Sequence, residues 1–205
     1  MSKTLSSLLA LTLGLTIAFS ASAQDAATPG TGVPAEAVAP DDLSMGATEQ
    51  DPNAPGAMRV AGTFGSWEQR CITDDADKER CQLYQLLKDG EGNNVAEFSM
   101  FNLPAGQQAS AGATIIVPLE TLLTANLTMK VDTAQPRVYP YTWCSTIGCV
   151  ARVGFTQAEI DALKKGSRAQ LTIVPVVAPD EKVILDVSLS GFTAGYDAVV
   201  AANAE

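Results

Sequence analysis

Four cysteines in two close pairs, Cys71 with Cys81 and Cys144 with Cys149, constrain this chain more than any other feature. They follow an N-terminal stretch with the pattern of a secretory signal. Lys3 supplies the positive charge, Leu5 to Phe19 the apolar run, and Ala21-Ser22-Ala23 a small-residue cleavage site. The expectation is an exported protein of the periplasm, the cell envelope or the medium, beginning at Gln24, with its cysteines oxidised. The apolar run falls short of the about 20 residues a spanning helix needs. No later segment is long and apolar enough, so no transmembrane span is expected in the mature chain.

The chain then divides by composition. Residues 24–58 are rich in Ala, Pro and Gly, carry six acidic residues, and contain no Lys, Arg or aromatic residue. Such a segment buries too little apolar surface to offset its chain entropy, which predicts a disordered acidic linker. Residues 59–205 form one domain of ordinary size. Its 12 basic and 17 acidic residues leave a net charge of −5. A phosphate-binding surface wants a basic excess, so nucleic acid is excluded as the expected partner.

The domain reads as β. In Lys182–Ser190, Val183, Leu185, Val187 and Leu189 share one face. Arg168–Val174, Leu127–Asp132 and Cys149–Phe155 alternate in the same way. Further strands are expected around Thr63–Cys71, Arg80–Leu87, Val95–Phe101, Ala113–Val117 and Arg137–Trp143. Thr156-Gln157-Ala158-Glu159 is a capping box that starts a helix, with Gly166 placed for a left-handed cap at its end. A second short helix after Phe192 is weakened by Gly195. The expected fold is mainly β: an antiparallel β-sandwich or small barrel with one or two short helices, stapled by disulfides. Low aromatic content and a polar C-terminus argue against an outer-membrane barrel.

Four cysteines allow three pairings. Loop-closure entropy favours long-range bridges, at about 4 to 5 kcal/mol against about 2 to 3 for short loops. The local pairs Cys71–Cys81 and Cys144–Cys149 are the working expectation because they need no tertiary assumption. The first would close over a charged turn, the second over Ser-Thr-Ile-Gly. Spacings of nine and four residues fit neither a zinc site nor a Cys-x2-Cys redox site.

The chain has no histidine, which removes the common triads, Cys-His dyads and His-ligated metals. There is no nucleophile elbow and no Gly-rich phosphate loop. Asp75, Asp77 and Glu79 hint at a calcium loop, but Arg80 and Leu86 stand where its Gly and Glu are needed. No catalytic residue, cofactor or metal is therefore expected. Trp67 shares a strand face with Cys71 and reads as core. Tyr139, Tyr141 and Trp143 share another face and form the largest aromatic cluster. Exposed, they would be the first choice for a binding surface.

The order Trp67-x3-Cys71, Cys81, Leu103-Pro104-Ala105-Gly106 with Ala111-Gly112, Cys144-Ser-Thr-Ile-Gly148-Cys149 and Ser188-Leu-Ser-Gly-Phe192 resembles the invasion-associated locus B family of exported bacterial proteins. The resemblance spans roughly residues 59–200. It implies a β-rich periplasmic or envelope-associated domain with a virulence association and no established catalytic site. The expected function is a non-catalytic interaction module for a protein or glycan of the bacterial envelope or host surface. A thiol-disulfide enzyme and a carbohydrate-binding domain are the rival readings.

Overall fold

The computed structural model describes residues 56–74 and 78–204. The expected signal peptide, nearly all of the expected linker, and Asp75 and Asp77 lie outside the described residues. The domain is built from two antiparallel sheets and two helices. The larger sheet has the order β1 (Met58–Phe64), β2 (Trp67–Thr73), β3 (Glu79–Lys88), β4 (Asn94–Asn102), β5 (Ala111–Val117), β9 (Gly148–Phe155) and β8 (Trp143–Ser145). The smaller has the order β11 (Val183–Ser188), β10 (Arg168–Ile173), β6 (Leu127–Val131) and β7 (Arg137–Tyr139). Both sheets keep open edges, so the fold is sandwich-like and not a closed barrel.

Alternation explains which face is buried. Trp67 and Cys71 on β2, Leu83 and Leu87 on β3, and Phe98 and Met100 on β4 all point inward. So do Ile115 on β5 and Ala151, Val153 and Phe155 on β9. Leu171, Leu185 and Val187 oppose them from the smaller sheet. Helix α2 (Phe192–Ala202) covers the rest of the inner face, lying over β1 to β4. The Trp67 ring sits at the centre, edge-on to Phe98 at 5.6 Å and to Phe192 at 5.4 Å.

Two side-chain amides, one buried and one half-buried, join these layers. Gln85, 5% exposed, accepts from the Ser188 backbone N–H (2.9 Å) and donates to the Ser188 carbonyl (3.0 Å). The Trp67 indole donates to that same carbonyl at 2.7 Å. Thus the last residue of β11 finds its missing strand partner in a side chain of β3. At the other end, Asn203 accepts from the Cys81 N–H (2.8 Å) and donates to its carbonyl (2.9 Å). The β3–β4 register reaches only Leu83↔Met100 at this side, so Asn203 completes the pairing where the ladder stops.

The turn into α2 demands glycine. Gly191 has φ of 84°, and a Cβ there would lie 2.0 Å from the Phe64 carbonyl oxygen. The β1–β2 turn and the β11–α2 turn press together here, with the Ser66 N–H donating to the Ser190 carbonyl.

Four expectations change in detail. Thr63–Cys71 is two strands, because Gly65 at φ of 59° turns the chain between β1 and β2. Arg137–Trp143 is also two strands, in different sheets. Pro140 lacks the N–H that a continuing ladder needs, and the chain crosses over at residues 140–142. Helix α1 (Gln157–Lys165) has its Thr156–Glu159 capping box, but Gly166 is extended (φ −71°), not left-handed. It is required by packing: a Cβ would come within 3.0 Å of Leu189, Ala162 and Val131. Helix α2 runs 11 residues through Gly195, because that glycine is its contact point, with a Cβ there 2.5 Å from the Leu83 side chain.

Replacing Gln85 by Leu leaves the Ser188 N–H unpaired inside the molecule. The expected cost is about 2 to 4 kcal/mol in urea unfolding; a change below about 0.5 kcal/mol would show that the amide joint is dispensable.

Candidate functional site

Both disulfides link directly opposed residues of antiparallel strands. Cys71 pairs with Cys81 across β2 and β3, and Cys144 with Cys149 across β8 and β9. The first bond is fully inside the core, whereas Cys144 is exposed. The second closes the hairpin at the edge of the large sheet. Gly148 sits in that hairpin at φ of 131°, where a Cβ would fall 2.4 Å from the Val117 carbonyl oxygen. The Gly-Cys sequence is thereby explained: the glycine lets the hairpin lie flat on β5 while the cysteine anchors it.

This hairpin presents the outer face of the sheet. The registers place Trp143 opposite Val150, Val150 opposite Ile116, Ile116 opposite Glu97 and Glu97 opposite Leu86. One continuous cross-strand row is therefore apolar except for a single carboxylate. Trp143 is 47% exposed, and Ile147 at the hairpin tip is 63% exposed. Leu86, Val95, Glu97, Ile116, Pro118 and Ile147 line a groove of about 160 Å³. Among the described residues Glu97 has no ion-pair partner. The neighbouring row is closed off, since the Arg70 guanidinium lies 3.2 Å above the Tyr84 ring and pairs with Glu68 at 2.8 Å. Burial, then the nearby Glu97 charge, raises the Tyr84 phenol.

The three aromatic residues expected to share a face are separated. Tyr139 is half-buried on β7 in the smaller sheet, its ring 6.4 Å from Phe155. Burial, then Glu159, raises its phenol, while Arg137 opposes them. Tyr141 is half-buried in the crossover, its hydroxyl lacks a hydrogen-bond partner, and burial pushes its pKa up to about 12. Trp143 alone is well exposed. The tyrosines pack against the core, so the triad is no stacking platform, and Trp143 belongs instead with Leu86, Glu97, Ile116 and Ile147. Sequence reading missed those four. Their signal was the doublets Leu86-Leu87 and Ile115-Ile116, where alternation wants one outward polar residue.

A second concavity, about 350 Å³, lies between the β4–β5 loop and the two helices. Leu103-Pro104-Ala105-Gly106 lines it, facing the Lys164–Asp197 ion pair (2.7 Å) and Tyr196. Cys71, Glu79 and Cys81 cluster within 4.8 Å, but the two sulfurs are bonded to each other and Glu79 pairs with Arg59. No thiolate is left there to bind a metal.

The sequence matches the model of the family described as "Invasion associated locus B (IalB) protein" over residues 67–200. Two Brucella abortus proteins, from strain 2308 and from biovar 1 strain 9-941, are described as invasion protein B homologs. Each is 26% identical over 148 residues, which is 71% of this chain and 82% of theirs. The crystal structure of invasion associated protein B from Bartonella henselae is similar with a TM-score of 0.58 at 20% identity. The match covers 70% of this chain and 98% of that one, and at that identity the likeness speaks for the fold.

Two measurements check this geometry. The double variant C71A/C81A should lose more stability than C144A/C149A, which removes about 2 kcal/mol of loop constraint; the reverse order in urea melts would contradict the burial difference. The folded state holds the Tyr141 phenol neutral up to about 12, whereas an unfolded tyrosine ionises near 10. The contribution is complete below about pH 10 and is lost as pH rises through about 12. Alkaline melts of Y141F should therefore fall less steeply than wild type across that window, and an unchanged slope would refute the assignment.

Proposed function

Because the chain belongs to the invasion associated locus B family, we propose that it is an exported, non-catalytic interaction domain of the bacterial envelope. In this reading it binds a protein partner through the outer-face row from Leu86 to Trp143. One observation carries it: an exposed indole and isoleucine beside a groove whose one charged lining residue, Glu97, has no ion pair among the described residues. Exposed apolar side chains grouped in this way mark contact sites, and a tryptophan covered by a partner supplies much of the contact energy. The lone carboxylate favours a partner that offers a Lys or Arg among apolar residues.

The signal-like N-terminus supports export, and the absence of histidine and of free cysteine supports a non-catalytic role. The names of the relatives extend the reading to contact with a host cell. The buried Cys71–Cys81 bond does not favour a thiol-disulfide enzyme, since exchange needs an accessible sulfur, which leaves that rival only the Cys144 side of the edge disulfide. A glycan would find better footing in the cleft below Leu103–Gly106 than on the separated tyrosines. The amides of Asn102 and Gln157 and the Lys164–Asp197 pair offer it donors and acceptors.

The immobilised chain from Gln24 onward, presented to envelope and host-membrane extracts, should capture a partner that W143A and E97K fail to hold. Truncating a tryptophan covered by a partner typically costs about 2 kcal/mol, roughly thirtyfold in affinity. Equal capture by wild type and both variants would move the site elsewhere. Saturable binding of an envelope or host glycan, lost in K164A and kept in W143A, would favour the cleft.

A further inference from the structure

We propose that one end of this domain is a membrane-contact surface that seats in a bilayer of electrically neutral headgroups. Two loops, residues 118–126 and 174–179, lie side by side at this end. The Leu122 N–H donates to the Val174 carbonyl (2.7 Å), the Val176 N–H donates to the Glu120 carbonyl (2.8 Å), and Thr121 bridges to Pro175. Four bulky apolar side chains project from them. Val177 is 80% exposed, Leu119 56%, Val176 51% and Leu123 44%. Ile147 stands next to them, since it shares its groove with Pro118. Four of the exposed large apolar side chains of the described residues thus come from these two loops.

The backbone of the two loops favours contact with a lipid. A loop entering the bilayer boundary is penalised for every unpaired N–H. Here six of the twelve loop amides, those of Thr121, Leu122, Ala125, Asn126, Val176 and Ala178, donate to carbonyls within the two loops, which lowers the cost of seating them at the headgroup boundary. Pro118, Pro175 and Pro179 have no N–H to satisfy. The Thr121 hydroxyl is turned inward onto the Pro118 carbonyl at 2.7 Å. What remains outward is largely hydrocarbon, suited to shallow burial at the headgroup boundary.

Charge selects the lipid. The two loops hold one charged residue, Glu120, and no Lys or Arg. The domain around them is acidic, with a net charge of −5 over residues 59–205. An anionic surface would repel it, whereas a zwitterionic one would not. The surface adjoins the partner-binding groove at Pro118 and Ile147 but does not use Trp143 or Glu97, so L119D/V177D tests the one and W143A and E97K test the other.

Flotation of the chain from Gln24 onward, disulfides intact, with phosphatidylcholine vesicles tests the proposal. Wild type should rise with the vesicles. L119D/V177D, checked by near-UV circular dichroism for an unchanged fold, should lose at least about tenfold in partitioning. Admixed phosphatidylglycerol should weaken wild-type binding. V177W should retain the fold and shift its emission to the blue with vesicles. The proposal is overturned if wild type stays in solution, if the double aspartate variant floats equally, or if binding appears only with anionic lipid. It is overturned too if V177W emission does not move. A dimer in lipid-free light scattering that L119D/V177D converts to monomer would assign the surface to a second copy.

Discussion

The amide of Gln85 against the backbone of Ser188 is the joint on which the rest of this structure depends. A strand at a sheet edge leaves N–H and C=O groups that must be satisfied wherever water is excluded. Here a side chain from the opposite sheet satisfies both. The same carbonyl receives the Trp67 indole, and the Trp67 ring contacts Phe98 on one side and Phe192 on the other. Large sheet, small sheet and helix α2 are thus referenced to one residue, Ser188. Apolar contact alone would hold these layers together without fixing their offset. The hydrogen bonds fix it, because a shift of one residue would strand a buried amide.

This joint changes the meaning of the residues through which the family is recognised. Trp67 and Ser188 make the joint, Gly191 permits the close turn beside it, and Phe192 packs on Trp67. Gly148 and Cys149 seat the edge hairpin on β5. These positions describe how the scaffold is assembled. A surface that varies in chemistry can sit on such a scaffold without disturbing it. The outer-face row and the apolar loop end occupy that kind of position: they use side chains that the joint does not need.

Much of the architecture was legible in the chain. Strict alternation at Leu127–Val131, Arg168–Ile173 and Val183–Ser188 marks half-buried strands, and the Thr156–Glu159 box starts α1. Legibility failed where tertiary contact overrode local preference. Gly195 looks like a helix breaker until Leu83 is seen pressed against it. Arg137–Trp143 reads as one strand because period two does not say which sheet a residue joins, and Pro140 was the only clue. For the candidate site the loss was greater. The row Leu86–Glu97–Ile116–Val150–Trp143 draws on five strands, and its members meet only through register. Sequence can show that Ile116 is an outward apolar residue. It cannot show that Trp143 is two strands away.

The joint also imposes an order of assembly. Trp67 and Ser188 are separated by 121 positions, Gln85 and Ser188 by 103, and Cys81 and Asn203 by 122. Loop closure over such spans comes late, after local hairpins have formed. A polypeptide delivered N-terminus first, through any narrow passage, can pair β2 with β3 and oxidise Cys71 with Cys81 early. It cannot set the two sheets against each other through this joint until Ser188 has emerged. Asn203 then acts as a latch on Cys81, so the domain stays threadable until α2 has followed β11 and locks only on arrival.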